Sequence, residues 1–230
     1  MTEAVRWCAR ELGYRFRDPD RLQRALTHRS AGSRHNERLE FLGDAVLGFV
    51  IAEALHRSLP DADEGHLSRL RAALVRRETL AELARTVGLS ERLRLGGGEL
   101  KSGGFRRASI LADTLEALIG AAYLDGGLPA ARTVLERLYA ERLRDLPSAD
   151  ALKDAKTRLQ ELLQGRGLPL PVYRVESVTG EEHRRRFTVV CEIADADRAS
   201  VGSGTSRRRA EQAAAEHMLA TLAAAEEADG

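Results

Sequence analysis

The run Asn36-Glu37-Arg38-Leu39-Glu40-Phe41-Leu42-Gly43-Asp44-Ala45-Val46-Leu47-Gly48-Phe49-Val50-Ile51-Ala52 decides what kind of protein this is. Its apolar residues recur at helical spacing, and Glu37, Glu40 and Asp44 stand at i, i+3 and i+7, on one face at 3.6 residues per turn. Taken alone, acids along a helical face are most often a solvated surface. Here Leu39, Leu42, Val46, Phe49 and Val50 cover the opposite side, while Phe41, Gly48, Ile51 and Leu55 lie on the same side as the acids. A helix apolar nearly all round is expected to be buried. Buried carboxylates repel one another and are costly to desolvate unless a positive group joins them, and no lysine or arginine stands at the matching spacings of that face. A bound cation is the simplest remedy.

The situation recurs in Ser109-Ile-Leu-Ala-Asp-Thr-Leu-Glu-Ala-Leu-Ile-Gly-Ala-Ala-Tyr-Leu, where Asp113 and Glu116 share a face with Ala117 and Gly120. Small residues there allow close helix packing. Oxygen ligands without histidine or cysteine suit a hard cation, Mg2+ or Mn2+ and not zinc, and Mg2+ keeps waters for a substrate and a nucleophile. The chemistry this favours is phosphoryl transfer.

Working outward, 230 residues accommodate one large or two ordinary domains. With 43% apolar and 31% charged residues, the disordered, collagen-like and disulfide-scaffold classes are excluded. No uncharged apolar run reaches the roughly 18 residues of a membrane span, and the N-terminus, with Glu3 and Arg6 flanking Trp7, lacks a signal-peptide core. A cytoplasmic protein without membrane contact is expected. Cys8 and Cys191 offer neither metal-ligand spacing nor a disulfide framework and are expected to be reduced and structural. The net charge of +1 gives no argument for nucleic acid, so any such argument rests on local clusters. Only Lys101, Lys153 and Lys156 are lysines among 36 basic residues, leaving arginines, whose planar fork suits phosphate.

From Trp7 to about Leu146 the spacing is helical throughout, which predicts an all-α unit over 1–147. Pro147-Ser-Ala-Asp reads as a short linker, ending near 152. Over 153–224 the signals are mixed: a helix at about Ala155 to Gly165, strands at Val172 to Val178, Phe187 to Ile193 and about Ala199 to Ser203, and an alanine-rich helix from Ser206 to about Ala223. Residues 225–230 read as an acidic tail. In the first of these helices Thr157, Gln160, Glu161 and Gln164 form a polar face opposite Leu159, Leu162 and Leu163. Such hydrogen-bonders suit the shallow minor groove of A-form RNA, lined with 2′-hydroxyls. In the last helix Ser206 is placed to cap the N-terminus, and Arg207, Arg208 and Arg209 put positive charge where free N–H groups already favour phosphate. Alone, a three-arginine run is more often a solvated surface.

The stretch His35-Asn36-Glu37-Arg38-Leu39-Glu40-Phe41-Leu42-Gly43-Asp44-Ala45-Val46-Leu47 resembles the signature of ribonuclease III, the double-stranded-RNA endonuclease. Leu26-Thr27-His28-Arg29-Ser30, Gly98 to Gly104 and Ser109 to Gly120 fall where that family has its other motifs. Asp154-Ala-Lys-Thr-Arg-Leu-Gln-Glu and Gly204-Thr-Ser-Arg-Arg-Arg-Ala-Glu-Gln-Ala-Ala-Ala resemble the two ends of a double-stranded-RNA-binding domain, with His183 in its first hairpin loop. The resemblance covers nearly the whole chain and implies a mixed fold: an all-α ribonuclease III endonuclease domain followed by a small α-β-β-β-α double-stranded-RNA-binding domain. It implies that Glu40, Asp44, Asp113 and Glu116 hold the catalytic Mg2+, with Asp44 and Glu116 closest to the chemistry, and that Glu37 and Glu64 line the cleavage valley. Read by itself, Glu64 is a helix-start acid favoured by the macrodipole. Two positions depart from the family pattern, Ala108 where glutamate is common and Ala155 where proline is common.

The mechanism implied is metal-assisted hydrolysis leaving 5′-phosphate and 3′-hydroxyl ends with short 3′ overhangs, and the substrates implied are ribosomal precursors and other structured RNAs. His28, His35, His56 and His66 show no paired spacing for 2′-hydroxyl chemistry and read as structural. The glycine-rich stretch 96–104 has Leu100 before Lys101-Ser102, where a Walker loop needs glycine, so no nucleoside triphosphate site is expected. Duplex RNA has two antiparallel strands, and the family is dimeric, so a homodimer presenting one site to each strand is expected, with Phe41 as a dimer contact. Two other classes account for part of the sequence: a non-catalytic duplex-RNA-binding protein, and a metal-dependent phosphohydrolase of small nucleotides. Retention of all the acids argues against the first; the second gives the C-terminal unit no task.

Overall fold

The computed structural model describes residues 3–148, 153–181, 184–194 and 198–229, the last four of these as backbone alone. The chain divides into two compact units, Met1–Pro147 and Ser148–Gly230. The first is built of helices: α1 (Glu3–Glu11), α2 (Pro19–Ala25), α3 (Glu37–Ser58), α4 (Glu64–Val75), α5 (Arg77–Thr86), α6 (Gly97–Lys101) and α7 (Ala108–Arg144), with three short 3-10 turns between them. Its extended backbone, among the described residues, is one isolated bridge between Thr27 and Arg94. No helix of the described residues is long and apolar enough to cross a membrane.

The two long helices, α3 and α7, are in backbone contact. A Cβ on Gly43 would lie 1.8 Å from the Glu116 carbonyl oxygen, and one on Gly120 would lie 2.2 Å from that of Leu39. Only glycine permits that approach. Leu39, Leu47, Val50 and Ile51 of α3 and Leu115, Leu118 and Ile119 of α7 are all buried. α7 is broken at Gly127, whose φ of 73° lies in the left-handed region. The break is anchored by Asp125, whose carboxylate accepts from the Tyr14 hydroxyl at 2.8 Å and from the Arg17 and Asp18 backbone N–H groups at 2.8 and 3.1 Å.

One sequence expectation is corrected here. α3 is not buried all round: Phe41 is 82% and Phe49 55% exposed. The buried arc is Leu39, Gly43, Val46, Leu47, Val50, Ile51 and Leu55, and the acids stand at its margin, with Glu40 half-buried and Glu37 and Asp44 exposed. Helical periodicity reports that a residue is apolar, not whether its side faces the core of the same chain.

The second unit is α8 (Ala155–Gly165), β1 (Val172–Thr179), β2 (Arg186–Ile193), β3 (Arg198–Gly204) and α9 (Arg207–Asp229). The antiparallel sheet has order β1-β2-β3, with Tyr173 opposite Cys191 and Cys191 opposite Ser200. A register shift between Val175 and Ser177 leaves Glu176 as a bulge. Both helices pack on the face carrying Cys191 and Ile193, burying Leu159, Leu163, Ala214, Ala215, Met218 and Leu222. Asp154 caps α8 by accepting from Thr157 N–H at 2.9 Å, and Ser206 caps α9 by accepting from Arg209 N–H at 3.3 Å. The α-β-β-β-α order is the one expected from sequence. α9, however, continues past Ala223 to Asp229, because the alanines and glutamates there are strong helix formers.

The α3–α7 contact makes opposite predictions for two glycines of one helix. Gly43→Ala is expected to destabilise by about 1–3 kcal/mol or more through overpacking. Gly48→Ala, whose Cβ meets nothing within 4 Å, is expected to stabilise by roughly 0.5–1 kcal/mol. Denaturant titration of the two variants measures both; equal effects would mean that α3 and α7 do not touch at Gly43.

Candidate active site

Because α3 and α7 touch at Gly43 and Gly120, acids more than seventy residues apart in sequence meet. Glu40, Asp113 and Glu116 each offer an oxygen within 4.8 Å of the others, and all three are half-buried. Burial, then repulsion from Asp44, Asp113 and Glu40, pushes the Glu116 carboxyl up to about 8, against the opposing charge of Arg77. Glu40 is raised by burial and by its neighbours Asp113 and Glu37, with Arg29 opposing. Asp113 is raised by burial, with Arg77, His28 and Arg29 opposing. The cluster therefore carries more negative charge than its surroundings balance.

The other acids expected at the site are placed differently. Asp44 is exposed and outside the three-acid cluster, though both Glu40 and Glu116 feel its charge. Exposed Glu37 accepts from Arg29 Nη1 at 3.1 Å, and its other oxygen is 3.6 Å from His35 Nδ1. Glu64 stands apart from the cluster, in the first turn of α4, where its carboxylate accepts from the Ser68 hydroxyl at 2.7 Å; Asp63 caps that helix. No lysine or arginine stands at the matching spacings of that helical face, but Arg29 and Arg77 bring positive charge to the acids from other segments. Spacing within a helix is blind to side chains that arrive from other segments.

Beside the cluster lies an open groove of about 560 Å³, lined by His28, Ser30, Glu99, Arg107 and Ser109 together with Glu37, Glu40 and Asp113. His28 Nδ1 lies 2.8 Å from the Ser30 hydroxyl, which accepts from Gly96 N–H at 2.9 Å. Arg107 Nη1 pairs with Glu99 at 2.6 Å. Read from sequence as structural, His28 is thus also a groove residue; its place in the Thr27-His28-Arg29-Ser30 motif was the available signal. Under the cluster, buried Asn36 donates to the buried Thr114 hydroxyl at 3.4 Å, linking the start of α3 to α7 between Asp113 and Glu116. Sequence alone gave no sign of this link.

In the second unit Thr157, Gln160, Glu161 and Gln164 are all exposed along α8, and Ser206, Arg207 and Arg208 are exposed at the start of α9. Thr157, Gln160 and Arg208 line one open groove of about 650 Å³. His183 lies outside the described residues.

Residues 18–143 match the family model described as ribonuclease-III-like, and residues 155–222 match that of the double-stranded RNA binding motif. Proteins named ribonuclease 3 are similar over 222 residues, 96% of this chain and 99% of theirs: 57% identical in Vibrio vulnificus, 55% in Vibrio cholerae and 54% in Pasteurella multocida. Among solved structures, the nuclease domain of ribonuclease III from Campylobacter jejuni aligns with 61% of this chain and 99% of its own length, at 41% identity and a TM-score of 0.59; that study concerns a region involved in dimer formation. A second structure of the same domain gives 39% identity and a TM-score of 0.60 over 64% of this chain and all of its own.

The raised Glu116 makes a pH prediction. In the folded chain it keeps a proton that the unfolded chain has released above about 4.5, so its contribution to stability is present at low pH and is lost as pH rises towards about 8. Without divalent cations, Glu116→Gln is expected to melt above the parent at pH 8.5 and close to it at pH 5, by about 2–4 °C for each kcal/mol the buried charge costs. Scanning calorimetry with a chelator present measures the gap; a gap that does not change with pH would mean that Glu116 is not desolvated.

Proposed function

The chain belongs to the ribonuclease III family, and on that premise we propose that it hydrolyses phosphodiesters of double-stranded RNA with Mg2+ held by Glu40, Asp44, Asp113 and Glu116. It is an endoribonuclease acting on double-stranded RNA. What carries the further reading is the convergence of Glu40, Asp113 and Glu116 within 4.8 Å, half-buried and short of positive charge. An all-oxygen donor set of this kind fits a hard divalent cation, so Mg2+ is the natural occupant and Mn2+ a substitute.

When bound, the ion supplies positive charge to the scissile phosphate and lowers the pKa of an attacking water. The protein's own share begins with Gly43 and Gly120, which hold the acids of two helices at one point. Asp44 and Glu116 stand closest to the reacting phosphate, and Glu37 and Glu64 support the RNA along the cleavage valley. Arg29 and Arg107 supply positive charge, and His28 a hydrogen-bonding ring, in the groove beside the acids, where flanking phosphates are placed. The oxygen of water bonds to phosphorus as the P–O3′ bond breaks, which leaves 5′-phosphate and 3′-hydroxyl ends. Staggered cuts on the two strands leave short 3′ overhangs, and ribosomal precursors and other structured RNAs are the substrates.

For the second unit we assign the α8 face of Thr157, Gln160, Glu161 and Gln164 to the RNA minor groove, and Ser206, Arg207 and Arg208 to phosphates. The exposure of all seven side chains supports this assignment. His183 is assigned to RNA contact in the same reading. We also propose a homodimer with Phe41 as a contact. Phe41, 82% exposed beside a row of acids, supports it, because its ring is free to be buried against a second copy as an aromatic anchor.

Two measurements test these readings. A labelled RNA duplex of about three helical turns is expected to be cut with a stagger in Mg2+ and left whole in chelator, and Glu116→Gln is expected to lose cleavage by roughly a hundredfold or more while still binding the duplex. Binding without cleavage in any divalent metal would overturn the assignment of the acids. In analytical ultracentrifugation Phe41→Ala is expected to move towards monomer by about a hundredfold in dissociation constant, the cost of losing a buried aromatic anchor; an unchanged dimer removes Phe41 from that role.

A further inference from the structure

The phosphate-facing start of α9 and the groove-facing side of α8 are joined by one side chain. Glu211, one turn into α9 and only 12% exposed, accepts from Arg207 Nε at 2.8 Å with one oxygen and from Lys156 Nζ at 2.7 Å with the other. Lys156 is itself fixed, since its ammonium lies 4.3 Å from the Tyr173 ring centroid and its backbone N–H donates to Gln212 at 3.2 Å. Lys156 immediately precedes Thr157, the first residue of the polar face of α8.

The geometry of the Arg207 contact is specific. The guanidinium meets the carboxylate through Nε; among the described residues no bond to either Nη group is found, and the side chain is 65% exposed. An exposed i,i+4 pair is ordinarily worth little, because both long side chains lose freedom to form it. Here the carboxylate is already immobilised from its other side by Lys156, so Arg207 is aimed and its outer fork is left for an anion.

We propose that Glu211 is a positioning residue for duplex RNA: it aims Arg207 at phosphate and holds that contact at a fixed distance from the α8 face, although it brings a negative charge to a surface that binds a polyanion. Recognition by shape requires such a fixed distance, since the two contacts fall on different parts of the duplex. The inference rests on the reading of Arg207 as a phosphate contact. It predicts an effect opposite in sign to simple charge counting, in which removing the acid strengthens binding.

The test is fluorescence anisotropy of the full-length chain, in chelator, on a labelled RNA duplex of about two helical turns across a salt series. Glu211→Gln is expected to weaken binding about 3–10-fold and to reduce the slope of log K against log salt by about one, as for a lost phosphate contact. In an Arg207→Gln background the same change is expected to add nothing. If Arg207→Gln weakens binding while Glu211→Gln matches or exceeds the parent, the positioning role is overturned. Losses that simply add in the double variant also overturn it, because they indicate general destabilisation of the unit. If Arg207→Gln leaves affinity and slope unchanged, it is the phosphate reading of α9 that fails.

Discussion

Everything at the site depends on how closely α3 approaches α7. Two carboxylate-bearing helices normally stand 8–10 Å apart, a separation set by the side chains between them. At Gly43 and Gly120 there are none, and a single methyl group would collide with backbone oxygen. The approach is what turns acids from two segments into one cluster, and the cluster's repulsion works against it. Apolar burial on the two helices, including Leu39 and Leu47 of α3 and Leu115 and Ile119 of α7, offsets that repulsion. Asn36 and Thr114 add a buried polar link at the same level, which sets the rotation of one helix against the other. The site therefore lies in a seam of direct backbone approach, where displacing one helix pulls its carboxylates away from those of the other.

The sequence made the helices and strands legible because their signals are local. Strand β2 announced itself by alternation from Phe187 to Ile193, and the α9 start by Ser206 before three arginines. What escaped was decided at long range. Phe41 and Phe49 carry the same apolar signal as Ile51 and Leu55, yet two face out and two face in. Arg29, Arg77 and His28 come to the acids from segments with no spacing relation to Glu40 or Asp113. The meeting of Glu40 with Asp113 and Glu116 was itself legible only through family resemblance, since acids on separate helices give no reason of their own to meet. Glu64 shows the reverse: its local environment is that of a helix-start acid, and its assignment to the cleavage valley rests on resemblance.

The two units handle charge in opposite ways, and a net charge of +1 conceals both. In the first, negative charge is concentrated in a half-buried cluster, and the raised Glu116 shows that the fold does not neutralise it unaided. In the second, positive charge is set at a helix start where the backbone already attracts anions, and one largely covered acid, Glu211, pairs with both Arg207 and Lys156. On the assignments proposed above, a duplex is drawn to the second arrangement without a divalent cation, whereas its phosphates are repelled by the first until a cation is present. Binding and cutting are thereby placed on different electrostatic footings within one chain. The same assignments make affinity follow monovalent salt through the arginines, and chemistry follow divalent cation through the carboxylates.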